Sequence, residues 1–302
     1  DLCISRPKSR LSWGIELPFN QEYVTYVWFD ALINYITAAG YANDEKLFKR
    51  RWPASCHLIG KDILTTHAVY WPTMLMSAGI DLPESIFAHG WWLMGESKMS
   101  KSLGNIINPM DLIDDYGVDP VRYYLMREMV IGQDASFTLE SFIQRYNSDL
   151  ANDFGNLLSR VTTLIYKNYS GEIPDPGKLF NQELSIKHKS EQLQSIVKNL
   201  IYDMKINEAI EQIMQFIRHV NRYMEQNAPW KMVKKNKLEA GRVLYTAGEA
   251  LRISAILLSP IMPSRTLIVL EVLSSDRDEC SWGGLSVGAK LKQHTPLFPR
   301  IK

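Results

Sequence analysis

The sequence predicts an α/β region built on a doubly wound parallel sheet, followed by an all-α helix bundle. Two patterns predict it. Short β-branched and aromatic runs alternate with helical segments through the first 135 residues, and such alternation implies parallel strands joined by crossover helices. From Leu150 onward the apolar residues instead recur at helical spacing, through Phe154, Leu157, Leu158, Val161, Leu164 and Ile165. Asp134-Ala135-Ser136-Phe137-Thr138 interrupts the chain where one period gives way to the other.

In chain order, Tyr23-Val24-Thr25-Tyr26-Val27-Trp28 has the composition of a strand, and residues 30–39 follow as a helix stopped by Gly40. Cys56-His57-Leu58-Ile59 is a short apolar strand ended by Gly60. Asp62 then stands at the cap of a helix reaching about residues 78–79. Residues 86–93 supply a further strand, Ile86-Phe87-Ala88-His89-Gly90-Trp91-Trp92-Leu93. Ligands of doubly wound sheets lie beyond the carboxyl ends of the strands. That rule puts Trp28, Gly60, Lys61, Asp62, Trp91, Trp92 and the segment after them around one crevice, although Trp91 and Trp92 read equally well as core.

That next segment is Gly95-Glu96-Ser97-Lys98-Met99-Ser100-Lys101-Ser102-Leu103-Gly104-Asn105. Glycine and serine leave its backbone free to bend, and successive N–H groups in such a turn form a concavity for anions. Serine hydroxyls add donors, and two ammonium groups three residues apart can close over a polyphosphate. A lone pair of lysines at this spacing is as a rule a solvated loop; the strands and tryptophans before it favour the phosphate reading.

Composition sets the outer bounds. With 302 residues, 46% of them hydrophobic, the chain has material for two cored domains and is too apolar to be disordered. A net charge of +1 confines any nucleic-acid contact to local basic clusters. Cys3, Cys56 and Cys280 lack C-x-x-C spacing, which argues for reduced thiols and against a disulfide frame or a zinc site. The apolar run 253–262 is too short to cross a bilayer, so no membrane role is expected. The start has no signal pattern and no initiator methionine, and reads as the middle of a longer chain.

After the lysine loop, Asn108-Pro109 and Val118-Asp119-Pro120 start short helices. The bundle helices are expected from Leu150 and over about 190–203, 207–226 and 238–258, with a Gly/Pro loop at 171–177. Asn156 and Arg160 lie four apart on one helical face, away from the apolar stripe, a spacing that by itself describes a solvated face. Trp230 follows Ala228-Pro229 and is surrounded by Lys231, Lys234, Lys235 and Lys237, the pairing of ring and positive charge that an unstacked RNA base and its backbone require. The domains are therefore expected at 1–135, 136–275 and a loop-rich 276–302 that packs back on the body, against its catalytic unit.

Lys98 through Ser102 match the KMSKS signature of class I aminoacyl-tRNA synthetases at every position. Ser5-Arg6-Pro7, Trp13-Gly14-Ile15, Pro18, Tyr26-Val27-Trp28-Phe29-Asp30-Ala31-Leu32, Gly60-Lys61-Asp62-Ile63, His67 and Trp71 extend the likeness, and the whole chain resembles the methionyl-tRNA synthetases. The resemblance implies the second half of the class I catalytic domain followed by an anticodon-binding bundle. It implies a methionine pocket lined by Trp28, Tyr35, Ile63, His67 and Trp71, where aromatic walls suit a polarizable thioether. For ATP it implies Gly60, Asp62, Trp92, Lys98, Ser100, Lys101 and Ser102, with Lys98 and Lys101 acting on the transition state. For the CAU anticodon it implies Asn156, Arg160 and Trp230. Taken by the residues alone, Asp62 remains an ordinary helix cap and His67 a satisfied half-buried histidine. Leu32 and Thr66 depart from the family's frequent proline and aromatic residue, which bears on pocket shape.

ATP with Mg²⁺, methionine, and the initiator and elongator methionine tRNAs are the implied substrates, in the cytoplasm or in a mitochondrial or plastid matrix. No metal ligands are implied, because the family's HIGH histidines and zinc-bearing insertion lie upstream of Asp1; on that expectation the chain alone is inactive. The competing readings are a tRNA-binding fragment or paralogue without catalysis, and a class I synthetase for another apolar amino acid or cysteine.

Overall fold

The computed structural model describes residues 5–94, 97–98, 107–275 and 280–301, with the backbone alone at Ser97 and Lys98. The chain forms two compact units, one of residues 1–91 with 131–133 and the other of 92–130 with 134–302.

In the first unit, β1 (Ser5–Pro7), β2 (Glu16–Leu17) and β3 (Asn20–Thr25) make an antiparallel sheet with β3 in the centre. The strand expected over 23–28 thus ends at Thr25, and it joins an antiparallel sheet instead of a parallel one. Helix α1 (Val27–Ala39) already contains Trp28. β-branched and aromatic composition suits a buried helix face as well as a strand, and Leu32, Ile36 and Ala39 bury that face here. Gly40 ends α1 in the left-handed region at φ 105°, donating to the carbonyls of Ile36 and Thr37. Helix α2 (Glu45–Arg51), which the periodicity does not announce, is capped by the Asp44 carboxylate accepting from the Leu47 N–H at 2.9 Å.

Strand β4 (His57–Gly60) pairs in parallel with β5 (Ile86–His89), from His57 opposite Ile86 to Gly60 opposite His89. The crossover is a 3₁₀ turn (Lys61–Ile63), a π-helical turn (Thr66–Tyr70) and α3 (Trp71–Ser77). Gly60, not Asp62, occupies the cap position, and Asp62 falls in the first turn. Leu32, Ile36, Ala39, Trp52, Trp71 and Leu75 form the core of this unit.

The strand expected over 86–93 is divided at Gly90-Trp91. Its second part, β6 (Trp92–Met94), belongs to the other unit, where it pairs antiparallel with β7 (Ser97–Lys98) and in parallel with β8 (Ala135–Ser136). Helices α4 (Pro109–Tyr116), capped by Asn108, and α5 (Val118–Glu128) start at the expected Asn-Pro and Val-Asp-Pro sites. The bundle follows: α6 (Leu139–Arg145) runs through a π-helical stretch (Tyr146–Gly155) into α7 (Asn156–Tyr169), then α8 (Asn181–Tyr202), α9 (Ile206–Asn227), α10 (Pro229–Met232), α11 (Lys237–Leu258) and α12 (Pro263–Val272). Its core is one apolar cluster that includes Phe154, Leu157, Ile213, Ile217, Leu244 and Leu251.

Residues 92–130 pack with the bundle because α5 is tied to it. Tyr123 is buried and donates to the Asp149 carboxylate at 2.8 Å, and Arg127 is ion-paired with Glu211 of α9. The closing segment lies on the bundle. Leu297 and Phe298 enter the bundle core, Phe298 against Tyr146 and Phe154, and the N–H of Ile301 donates to Asn147 at 2.9 Å. Farther back, the buried Glu249 accepts from the N–H groups of Gly283, Gly284 and Leu285 at 2.7, 2.9 and 3.0 Å and pairs with the equally buried Arg252. A carboxylate that satisfies three backbone donors anchors a stretch having no regular structure of its own. Among the described residues no helix is long and apolar enough to cross a membrane.

Candidate functional site

The first unit gathers aromatic and imidazole rings where α1 meets β4 and the crossover. Trp28 and Tyr35 are two turns apart on α1, and Ile63, His67 and Trp71 follow at four-residue steps along the crossover. Tyr35 and His67 are hydrogen bonded, hydroxyl to Nε2, at 2.9 Å, while Nδ1 of His67 is 3.0 Å from the Ile63 carbonyl. A carbonyl only accepts, so Nδ1 carries a proton and Nε2 faces the Tyr35 hydroxyl. The Trp28 ring meets His67 edge-on at 6.4 Å, and Tyr35 lies 6.0 Å from Trp71. Trp28, Tyr35, Ile63, His67 and Trp71 are thus drawn together. His67 and Trp71 are buried, and Tyr35 and Trp28 are partly exposed.

Sequence reasoning missed His57. Its Nε2 accepts the Trp71 indole N–H at 3.2 Å, and its ring packs 4.4 Å from that of Tyr35. Indole N–H is a donor only, so His57 holds Trp71 only while Nε2 is unprotonated. Burial first, and the neighbouring His67 second, keep His57 below the ordinary imidazole range. The one signal in the sequence was a histidine in an otherwise apolar strand. Leu32, the departure from the family pattern, is a fully buried core residue beneath this cluster.

At the end of β4, a Cβ on Gly60 would come within 2.6 Å of the Asp62 Oδ1, so the absence of a side chain lets that exposed carboxylate fold back over the turn. Lys61 places its ammonium 4.2 Å from the centre of the Trp91 ring. In the second unit Trp92 packs 6.0 Å from Tyr124, against the cluster of Val121, Phe137 and Phe142. Lys98 pairs by its backbone with Leu93 at the end of the β6–β7 hairpin. Ser100, Lys101 and Ser102 lie outside the described residues.

On the bundle, the exposed Asn156 opens α7 and Arg160 lies one turn on. Ala228 in the left-handed region and Pro229 at the first position of α10 turn the chain sharply, leaving Trp230 37% exposed. The Arg160 guanidinium stands 5.6 Å from the Trp230 ring centre and 3.3 Å from Glu225. Arg160 and Trp230 are therefore neighbours.

A family model described as class I (M) tRNA synthetases matches residues 1–162. The chain belongs to this family. A second model, the anticodon-binding domain of tRNA ligases, matches residues 183–271 of the synthetase chain. Methionine–tRNA ligase of Caldanaerobacter subterraneus is 42% identical over all of the chain and 48% of its own length, and that of Mycobacterium leprae 41% identical over all of the chain and 58% of its own. The chain thus spans about half the length of these relatives. The structure of Mycobacterium tuberculosis methionyl-tRNA synthetase in complex with methionyl-adenylate superposes with a TM-score of 0.92 at 39% identity, covering 99% of this chain and 60% of that one.

Proposed function

We propose that this chain carries the lysine-loop and anticodon-reading parts of an enzyme that attaches methionine to its tRNA by way of methionyl-adenylate. The observation that supports it is the packed set of Trp28, Tyr35, Ile63, His67 and Trp71, with a pinned imidazole and an apolar floor, in a chain of the class I (M) family. Aromatic walls around a single hydroxyl–imidazole pair suit a thioether side chain, which gains by dispersion and asks for few hydrogen bonds.

In the proposed reaction the methionine carboxylate attacks the α-phosphorus of ATP, supplied with Mg²⁺, and pyrophosphate leaves. A terminal ribose hydroxyl of the tRNA then attacks the acyl carbon of the adenylate and AMP departs. Asp62 accepts from ribose hydroxyls beside the bare Gly60, and Trp92 and the hydroxyls of Ser100 and Ser102 complete the nucleotide contacts. Lys98 and Lys101 neutralise charge as it builds on the leaving pyrophosphate, and this electrostatic role needs no proton transfer. Asn156, Arg160 and Trp230 read the CAU anticodon of initiator and elongator tRNAs, Trp230 by stacking and the other two by hydrogen bonds. By function the chain divides into a catalytic part through about residue 135, an anticodon-binding part over 136–275 and the closing segment 276–302, acting in the cytoplasm or an organelle matrix.

The test is ATP–pyrophosphate exchange by the full gene product with each of the twenty amino acids. Methionine-dependent exchange is expected; exchange driven by another apolar amino acid or by cysteine would reassign the pocket.

A further inference from the structure

On the bundle, two adjoining cavities of about 430 and 250 Å³ run between α8 and α9 and share His219 and Arg222. Along α9 they extend from Gln212 to Gln226, about 21 Å of helix at 1.5 Å per residue. No carboxylate lines either cavity; Lys189, Arg218, His219 and Arg222 do, with amide side chains between them and the buried Leu193 and Phe216 beneath.

The positive charge here is only partly compensated. Arg218 is engaged by Glu211 at 2.7 Å and by Asp153 at 3.5 Å. Lys189 and Arg222 are exposed, and among the described residues neither has a carboxylate within ion-pairing distance. Lys189 lies 3.2 Å from Nε2 of His219, which accepts from the ammonium. Two like charges beside one polar groove repel each other and disfavour a third charge on the imidazole between them, a cost that an anion in the groove would offset.

A small anion would fill one end only. The groove is long enough for on the order of six stacked nucleotides at 3.4 Å each, and its Gln226 end lies four residues before Trp230. From this charge, length and continuity we infer that the α8–α9 groove binds the sugar-phosphate backbone of the RNA strand whose bases Trp230 and Arg160 read. Lys189 and Arg222 meet phosphates, and the amides of Gln192, Gln212 and Gln226 meet ribose hydroxyls. These contacts carry no sequence information; they set affinity and position. The inference rests on the anticodon reading above.

The experiment measures binding of the full chain to a stem-loop RNA with a CAU anticodon, and to one with a changed first anticodon base, across salt concentrations. The double variant K189E/R222E alters two exposed residues; K290E/K292E on the closing segment, an equal change of charge at two exposed residues, is the control for charge alone. In the double variant, affinity for both RNAs is expected to fall about tenfold or more. Its logarithmic salt slope should be shallower by roughly 1.4, at about 0.7 per phosphate contact on a single strand. The preference for CAU should stay unchanged. Wild-type affinity and slope in K189E/R222E, or an equal loss in K290E/K292E, would overturn the groove. Displacement of the RNA by poly-glutamate at equal charge would overturn the nucleic-acid assignment. A wild-type chain that binds both stem-loops equally would overturn the anticodon reading, while the loss of salt slope would still identify the groove.

Discussion

Replacing His57 by leucine should expose how the aromatic cluster of the first unit is held. The substitution leaves the buried Trp71 indole N–H facing a methyl group where it had an acceptor at 3.2 Å. A buried donor stripped of its partner costs about 1–3 kcal/mol. The lost ring contact with Tyr35, at 4.4 Å, adds roughly 0.5–1.5 kcal/mol, offset in part by leucine's own burial. H57L should therefore destabilise the chain by about 2 kcal/mol, and H57Q by less, because a glutamine carbonyl can accept the indole proton. A double-mutant cycle isolates the bond: in a W71F background the hydrogen-bond part of the His57→Leu cost should vanish, leaving a coupling energy of about 1 kcal/mol. Denaturant titration followed by tryptophan fluorescence supplies the four stabilities. The sign of the pH effect follows from the same bond. His57 titrates lower in the folded protein than its ordinary value of 6.5, so the unfolded chain binds the extra proton first. Its contribution to stability is full above pH 6.5 and declines as pH falls toward the lowered folded value, below which the loss stops. H57L should lack that acid limb. A coupling energy under about 0.3 kcal/mol, or an acid limb unchanged in H57L, would refute the reasoning.

Three further outcomes are expected. In the full gene product Lys101→Ala should slow methionine-dependent pyrophosphate exchange by about a hundredfold or more with little change in methionine affinity, as for the loss of one preorganised transition-state donor; near-normal exchange would remove the role. Trp230→Ala should weaken stem-loop binding by roughly 1–3 kcal/mol while leaving tRNA-independent exchange untouched, and an equal fall in both assays would make Trp230 a core residue. Glu249→Ala strands a buried Arg252 and three backbone N–H groups, so a loss of about 3–5 kcal/mol and early hydrogen exchange at Gly283–Leu285 are expected in native-state exchange measurements.

Local chemistry was enough wherever a residue's role depends on its near neighbours in the chain. The helical period of Leu150, Phe154, Leu157 and Val161 announced the bundle, Gly40 stopped α1 where the backbone needed a positive φ, and Asn108-Pro109 marked the start of α4. The lysine loop was legible from its own residues, whereas Trp28, Tyr35, Ile63, His67 and Trp71 came as a set only from the resemblance to the methionyl-tRNA synthetases, and the fold shows that helical steps of four and seven bring them together. What needed the third dimension was everything decided by partners distant in sequence. Residues 23–28 had the composition of one strand, yet burial of Leu32 and Ile36 against Trp71 and Leu75 turned the chain helical from Val27. The run 86–93 read as one strand, but β5 and β6 found different partners, β4 in one unit and β7 and β8 in the other. His57 stood out in the sequence only as a histidine in an otherwise apolar strand, because an acceptor for Trp71 exists only once β4 lies beside the crossover that follows it. Likewise the two cations of the α8–α9 groove, Lys189 and Arg222, stand 33 positions apart in the sequence, and only the packing of two long helices brings them to one surface. Periodicity determines which face of an element is apolar; which element covers that face, and which polar groups meet there, is settled by the free energy of packing the whole chain.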